Sequence, residues 1–142
     1  MSKLITRIEI GKIISKRKIF SYEEVLNFIK ISGDNNPIHH DKEYAKTTLF
    51  KKPICHGILV ASIFSNLLGT TFTGSIYMNQ SLSFLAPVFI EEEVEGFIEI
   101  KELDKVKKYL YLKTYVKKIN DNNKLAIDGE AKIKLINMND YL

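Results

Sequence analysis

The chain has 142 residues, 45% hydrophobic and 27% charged, a balance that excludes disordered, collagen-like and low-complexity classes. Its net charge of +4 comes from scattered lysines with no block of five like charges, which suits anionic substrates better than nucleic acid. The single cysteine, Cys55, excludes an internal disulfide framework and a multi-cysteine zinc site, and it fits a reducing cytoplasm.

One compact domain over residues 1–142 is expected at this length. The start, Met1 to Arg7, meets charge before any apolar core develops and does not read as a secretory signal. Leu4 to Phe20 mixes β-branched apolar residues with charges and reads as an irregular strand with a lead-in. Ser21-Tyr22-Glu23-Glu24 then forms a capping box, with Phe20 and Val25 at staple positions around it. Val25, Leu26, Phe28 and Ile29 would share one face of a helix that runs to about Ser32 and stops near Gly33.

Asp34 to His40 has turn chemistry, because Asn35, Asn36 and Pro37 resist regular structure. Asp41 can cap a short helix through Thr48, and Lys51-Lys52-Pro53 breaks the chain again. From Pro53 to Ile90, 38 residues pass without Asp, Glu, Lys or Arg, where about ten would be usual. Within that stretch Gly57 to Leu68 is apolar nearly all round but only twelve residues long. A membrane span needs about twenty. The reading is a buried helix capped by Gly69 and followed by a core strand.

The second half changes period. Ile76, Met78, Leu82 and Phe84 alternate with polar or aromatic neighbours, and Val94 to Lys101 alternates less cleanly. Leu110, Leu112, Thr114 and Val116 alternate with Tyr109, Tyr111, Lys113 and Tyr115, so the tyrosines share a sheet face suited to packing or a subunit contact. After the turn at Asn120 to Asn123, Leu125 to Leu135 makes a last long strand. Helices first and long antiparallel strands later argue an α+β class, with one sheet wrapped around the Gly57–Leu68 helix.

Asp34 and His39 lie five residues apart across a proline turn that can bring both side chains to one spot. A carboxylate beside an imidazole manages protons at neutral pH, though an Asp before a turn also serves as an Asx cap. His56-Gly57 opens the uncharged helix, where unpaired backbone amides can hold a developing oxyanion. The same glycine could equally serve close packing. Cys55 beside His56 reads as a buried thiol and not as a nucleophile. His39, His40, His56 and Cys55 have irregular spacing for zinc, so no metal is expected.

Asp34-x-Asn36-Pro37-x-His39-x-Asp41, followed by Phe50-x-x-x-Ile54-x-His56-Gly57, resembles the hydratase motif of the MaoC-like family, which includes (R)-specific enoyl-CoA hydratases. The likeness continues through Ala61 to Gly69, Gly74 to Tyr77, Gln80 to Phe84 and Pro87 to Phe89. It implies a hot-dog fold, a homodimer and a soluble enzyme without cofactor, metal, nucleic acid or membrane partner, in fatty acid metabolism. Asp34 and His39 fall on the family's catalytic pair, and Gly57 on the backbone donor to the thioester carbonyl. Ser65 falls on a pocket serine, His56 accompanies Gly57, and Asn36 and Asp41 shape the loop. His40 stands where the family often has an apolar residue, at the pocket entrance.

The implied reaction is reversible hydration of a trans-2-enoyl-CoA to an (R)-3-hydroxyacyl-CoA, with Asp34 mainly as base and His39 delivering the α-proton. The rivals are a hot-dog thioesterase, a 3-hydroxyacyl-acyl-carrier-protein dehydratase, and a non-catalytic acyl-thioester-binding subunit.

Overall fold

The structure, a computed structural model, describes residues 7–137 and Tyr141. The reading made for Met1 to Thr6 lies outside the described residues. In chain order the elements are β1 (Ile13–Ile19), α1 (Tyr22–Ser32), a 3-10 turn (Pro37–His39), α2 (Lys42–Lys46), α3 (Gly57–Thr71), β2 (Ile76–Gln80), β3 (Ser83–Phe84), β4 (Glu93–Asp104), β5 (Tyr109–Lys118) and β6 (Lys124–Lys134). The strands form one antiparallel sheet in the order β1-β4-β5-β6-β2, with β3 also paired to β6.

Local chemistry explains the first helices. Ser21 Oγ accepts from the Glu24 amide at 3.1 Å while the Glu24 carboxylate accepts from the Ser21 amide at 3.0 Å, closing the expected box. Gly33 ends α1 in the left-handed region at φ 77°, where a side chain would be strained. The helix buries less than its pattern suggested. Val25 is buried, Phe28 and Ile29 are half-buried, and Leu26 is exposed. Asp41 caps α2 as expected, although that helix ends at Lys46, short of Thr48.

The long helix α3 supplies the core. Val60, Ile63, Phe64, Leu67, Leu68 and Thr71 are buried on it and meet Val94, Ile98, Ile100, Leu112, Val116 and Ile133 from the sheet. An antiparallel sheet curved over one buried helix is the hot-dog arrangement. Gly69 does not cap this helix. It lies inside it, because burying Thr71 and Phe72 on the next turn favours continuing past the glycine, and Gly74 makes the left-handed turn instead.

Strand β4 alternates more cleanly than its letters suggest, with Val94, Gly96, Ile98 and Ile100 all inward. A Cβ at Gly96 would run into Ile63 of α3, so the glycine is what lets helix and sheet touch. Phe97 points outward and stacks on Tyr115 at 4.7 Å, on the tyrosine face the sequence indicates. The segment expected to be a core strand is instead the sheet edge. β2 pairs only with β6, and Ile76, Tyr77 and Met78 remain exposed. The missing charges of that stretch therefore mark an uncovered apolar edge as well as a core.

Candidate active site

The loop from Asp34 to Asp41 is built from side chains that cap the backbone. Asp34 Oδ1 accepts from the Asn36 amide at 3.1 Å, and Asn36 Oδ1 accepts from the Ile38 amide at 3.2 Å. One Asp34 oxygen thus makes the Asx turn, and Oδ2 is not taken up by it. Two bonds then fasten the turn to the chain before α3. The Ile54 amide donates to the Ile38 carbonyl at 3.2 Å, and His39 Nδ1 donates to the Ile54 carbonyl at 2.7 Å.

That second bond fixes the state of His39. A carbonyl only accepts, so Nδ1 carries the proton and the neutral ring leaves Nε2 as an acceptor. Burial pushes the His39 pKa below the ordinary histidine value, the Ile54 bond opposes this, and neighbouring His56 lowers it further. His39 is 7% exposed, so desolvation is the expected leading cause.

His56, at the N-cap of α3, ties the loop to the helix. Its ring stacks on His39 at 3.7 Å between centroids, and Phe28 of α1 meets it edge-on at 4.8 Å. His56 Nε2 donates to the Asp34 carbonyl at 3.1 Å and lies 4.0 Å from Asp34 Oδ2. Among the described residues its Nδ1 is buried without a hydrogen-bond partner. Ligand atoms of Asp34, His39 and His56 lie within 4.8 Å of one another. A separation of this size fits one bridging water. Two hydrogen bonds meeting at one water span about 4.5 Å.

Gly57 follows His56 directly, and α3 begins without a side-chain cap, so the amides of its first turn are left as donors. Gly57 lines an apolar cavity of about 260 Å³ with Phe50, Ile54, Val60, Phe84 and Val88. A Cβ at position 57 would sit 2.5 Å from the Phe84 ring. Close packing thus accounts for a glycine here, and the residue also lines the cavity.

The MaoC like domain model matches residues 10–122. The chain belongs to the MaoC-like family. Among its relatives, the (R)-specific enoyl-CoA hydratase of Aeromonas caviae is 42% identical over 90% of this chain and 96% of that protein. A mitochondrial 3-hydroxyacyl-[acyl-carrier-protein] dehydratase of Arabidopsis thaliana is 34% identical over 94% of this chain and 81% of that one. The solved (R)-hydratase from A. caviae superposes with a TM-score of 0.86 over 91% of this chain and 98% of that one, at 42% identity.

Of the residues singled out in this MaoC-like sequence, the structure brings Asp34, His39 and His56 together and sets Gly57 beside them. Asn36 and Asp41 cap the loop and the helix after it. Ser65 is exposed on α3, and among the described residues no hydrogen bond joins it to Asp34, His39 or Gly57. The serine lies two turns beyond Gly57 along the helix, too far to share a first-turn site within one chain. Cys55 is buried, and burial pushes its thiol up to about 12, so it is no nucleophile. The Ile54 carbonyl and Phe84 were not visible as site residues, since a carbonyl has no sequence signal and Phe84 read only as one member of an alternating strand.

Proposed function

We propose that this chain is an (R)-specific enoyl-CoA hydratase, adding water reversibly to a trans-2-enoyl-CoA to give an (R)-3-hydroxyacyl-CoA. The single observation that carries the reading is the grouping of Asp34, His39 and His56, whose ligand atoms lie within 4.8 Å of one another, a gap one water can bridge, with His39 Nε2 left as an acceptor by the Nδ1 bond. It agrees with relatives named for hydration and dehydration of acyl thioesters.

A water in that gap donates one O–H to Asp34 and the other to His39 Nε2, leaving an oxygen lone pair to attack the β-carbon. As the C–O bond forms, the proton on the second O–H passes to Nε2. Electron density moves through the α,β double bond onto the thioester oxygen, which the Gly57 amide steadies. One such donor is worth about 3–4 kcal/mol. Nε2 then gives its proton to the α-carbon and is neutral again. His39 must therefore collect the proton before delivering it, and Asp34 holds and polarises the water throughout.

We also infer a homodimer acting in the cytoplasm on fatty acyl thioesters. The free edge of β2 with exposed Ile76, Tyr77 and Met78, and exposed Phe84 and Leu85 nearby, supports the second copy. Among the described residues no helix is long and apolar enough to cross a membrane. Crotonyl-, hexenoyl- and longer enoyl-CoA thioesters, followed by loss of enoyl absorbance and chiral analysis, test the reaction. An (R)-3-hydroxyacyl product supports it. Release of free thiol without a hydrated product, as a thioesterase gives, overturns it.

A further inference from the structure

Beside the catalytic loop lies a second and larger cavity, of about 650 Å³, framed by Tyr22, His40, Lys42, Lys52, Phe89 and Glu91. His40 follows His39 directly, and Lys52 precedes His56 by four residues, so at most ~14 Å of extended chain separates their α-carbons. Lys52 Nζ stands 4.3 Å over the Phe89 ring. Among the described residues neither Lys42 nor Lys52 forms an ion pair. The one acid in the frame, Glu91, is engaged by the Tyr22 amide at 3.3 Å. Two uncompensated ammonium groups, aromatic faces and nucleotide-scale volume thus converge next to the loop that holds the reactive pair.

We propose that this cavity seats the nucleotide end of the coenzyme A carrier, with Lys42 and Lys52 meeting its phosphates and Tyr22 presenting a face to the adenine. The assignment rests on the hydratase reading and adds the handle by which the substrate is held. It selects free coenzyme A over a carrier protein. A protein-borne pantetheine arm ends in one phosphate on a folded surface and has no base with which to fill such a space.

The double variant Lys42→Gln, Lys52→Gln tests it. Both lysines are exposed, so folding is checked simply by an unchanged Tm. The rate constant kcat/KM is measured for crotonyl-CoA, for crotonyl-pantetheine and for a crotonyl carrier protein, and the Kd of coenzyme A itself is measured by calorimetry. The ratio of kcat/KM for crotonyl-CoA to crotonyl-pantetheine should fall roughly tenfold or more in the variant, through KM, and the Kd should weaken alike. A ratio and a Kd both unchanged within about twofold would overturn the proposal. So would a wild type that prefers the carrier-protein substrate over crotonyl-CoA. A wild type that hydrates none of these thioesters, yet binds coenzyme A through the two lysines, would sink the hydratase reading and leave the nucleotide site standing.

Discussion

Replacing Asp34 by Asn separates the two jobs of that side chain. Asn keeps an oxygen where Oδ1 accepts from the Asn36 amide at 3.1 Å, so the turn bond survives. The Asp34 side chain is 52% exposed and its swap is isosteric, so stability should move by less than about 0.5 kcal/mol. Oδ2, however, becomes an NH₂ donor facing the His56 Nε2–H at 4.0 Å and the place of the water. A carboxylate that accepts and polarises the water is exchanged for a group that can only donate there. Loss of a group that holds and polarises the attacking water costs about 10²- to 10³-fold, or roughly 3–4 kcal/mol of barrier. The assay is the fall in enoyl absorbance with crotonyl-CoA, beside a thermal melt. Turnover above one-tenth of wild type would refute the water-holding role. So would a loss of several kcal/mol in stability, because the inactivity would then follow from unfolding of the loop.

His39 must be neutral to accept from water, and burial lowers its pKa, so kcat/KM should fall on acidification with a midpoint below the ordinary histidine value, along a single-proton limb that His39→Gln removes. The same group gives a stability signature: its folded pKa is lowered, so below the unfolded value the unfolded chain binds more protons. Stability should then drop on acidification from about 6.5 down to the folded value, by at most about 1.4 kcal/mol per pH unit, in chemical melts of wild type against His39→Gln. Gly57→Ala should crowd the Phe84 ring and destabilise by about 1–2 kcal/mol, and Phe84→Ala placed on top should recover that stability in a double-mutant cycle. Additive losses would show that Phe84 is not what the new methyl meets. Gly96→Ala should cost about 1–3 kcal/mol by driving a methyl into Ile63, and a Tm within a degree of wild type would contradict the close contact of α3 with β4. The Cys55 thiol, held near pKa 12 by burial, should stay unmodified by a thiol reagent at pH 8 until the chain is unfolded, and rapid labelling of the native protein would refute its burial.

Features closed within a few residues could be read directly from the letters. The Ser21–Glu24 box, the Gly33 stop, the Asp41 cap and the Asp34-Asn36 turn depend on side chains bonding to backbone two or three positions away, so the pattern contains both partners. The alternation in β5 and β6 likewise carries its own face, and the spacing from Asp34 to His39 held the candidate pair. Folding settled everything whose partner is distant in sequence. His56 stacks on His39 from 17 positions away, and the Ile54 carbonyl that sets the tautomer of His39 comes from 15. Gly57 needs Phe84, Gly96 needs Ile63, and the continuation of α3 through Gly69 needs the burial of Thr71 and Phe72. The apolar letters of β2 could not distinguish a core strand from an edge, because hydrophobicity records a preference for cover and only strand order decides whether the cover lies within one chain.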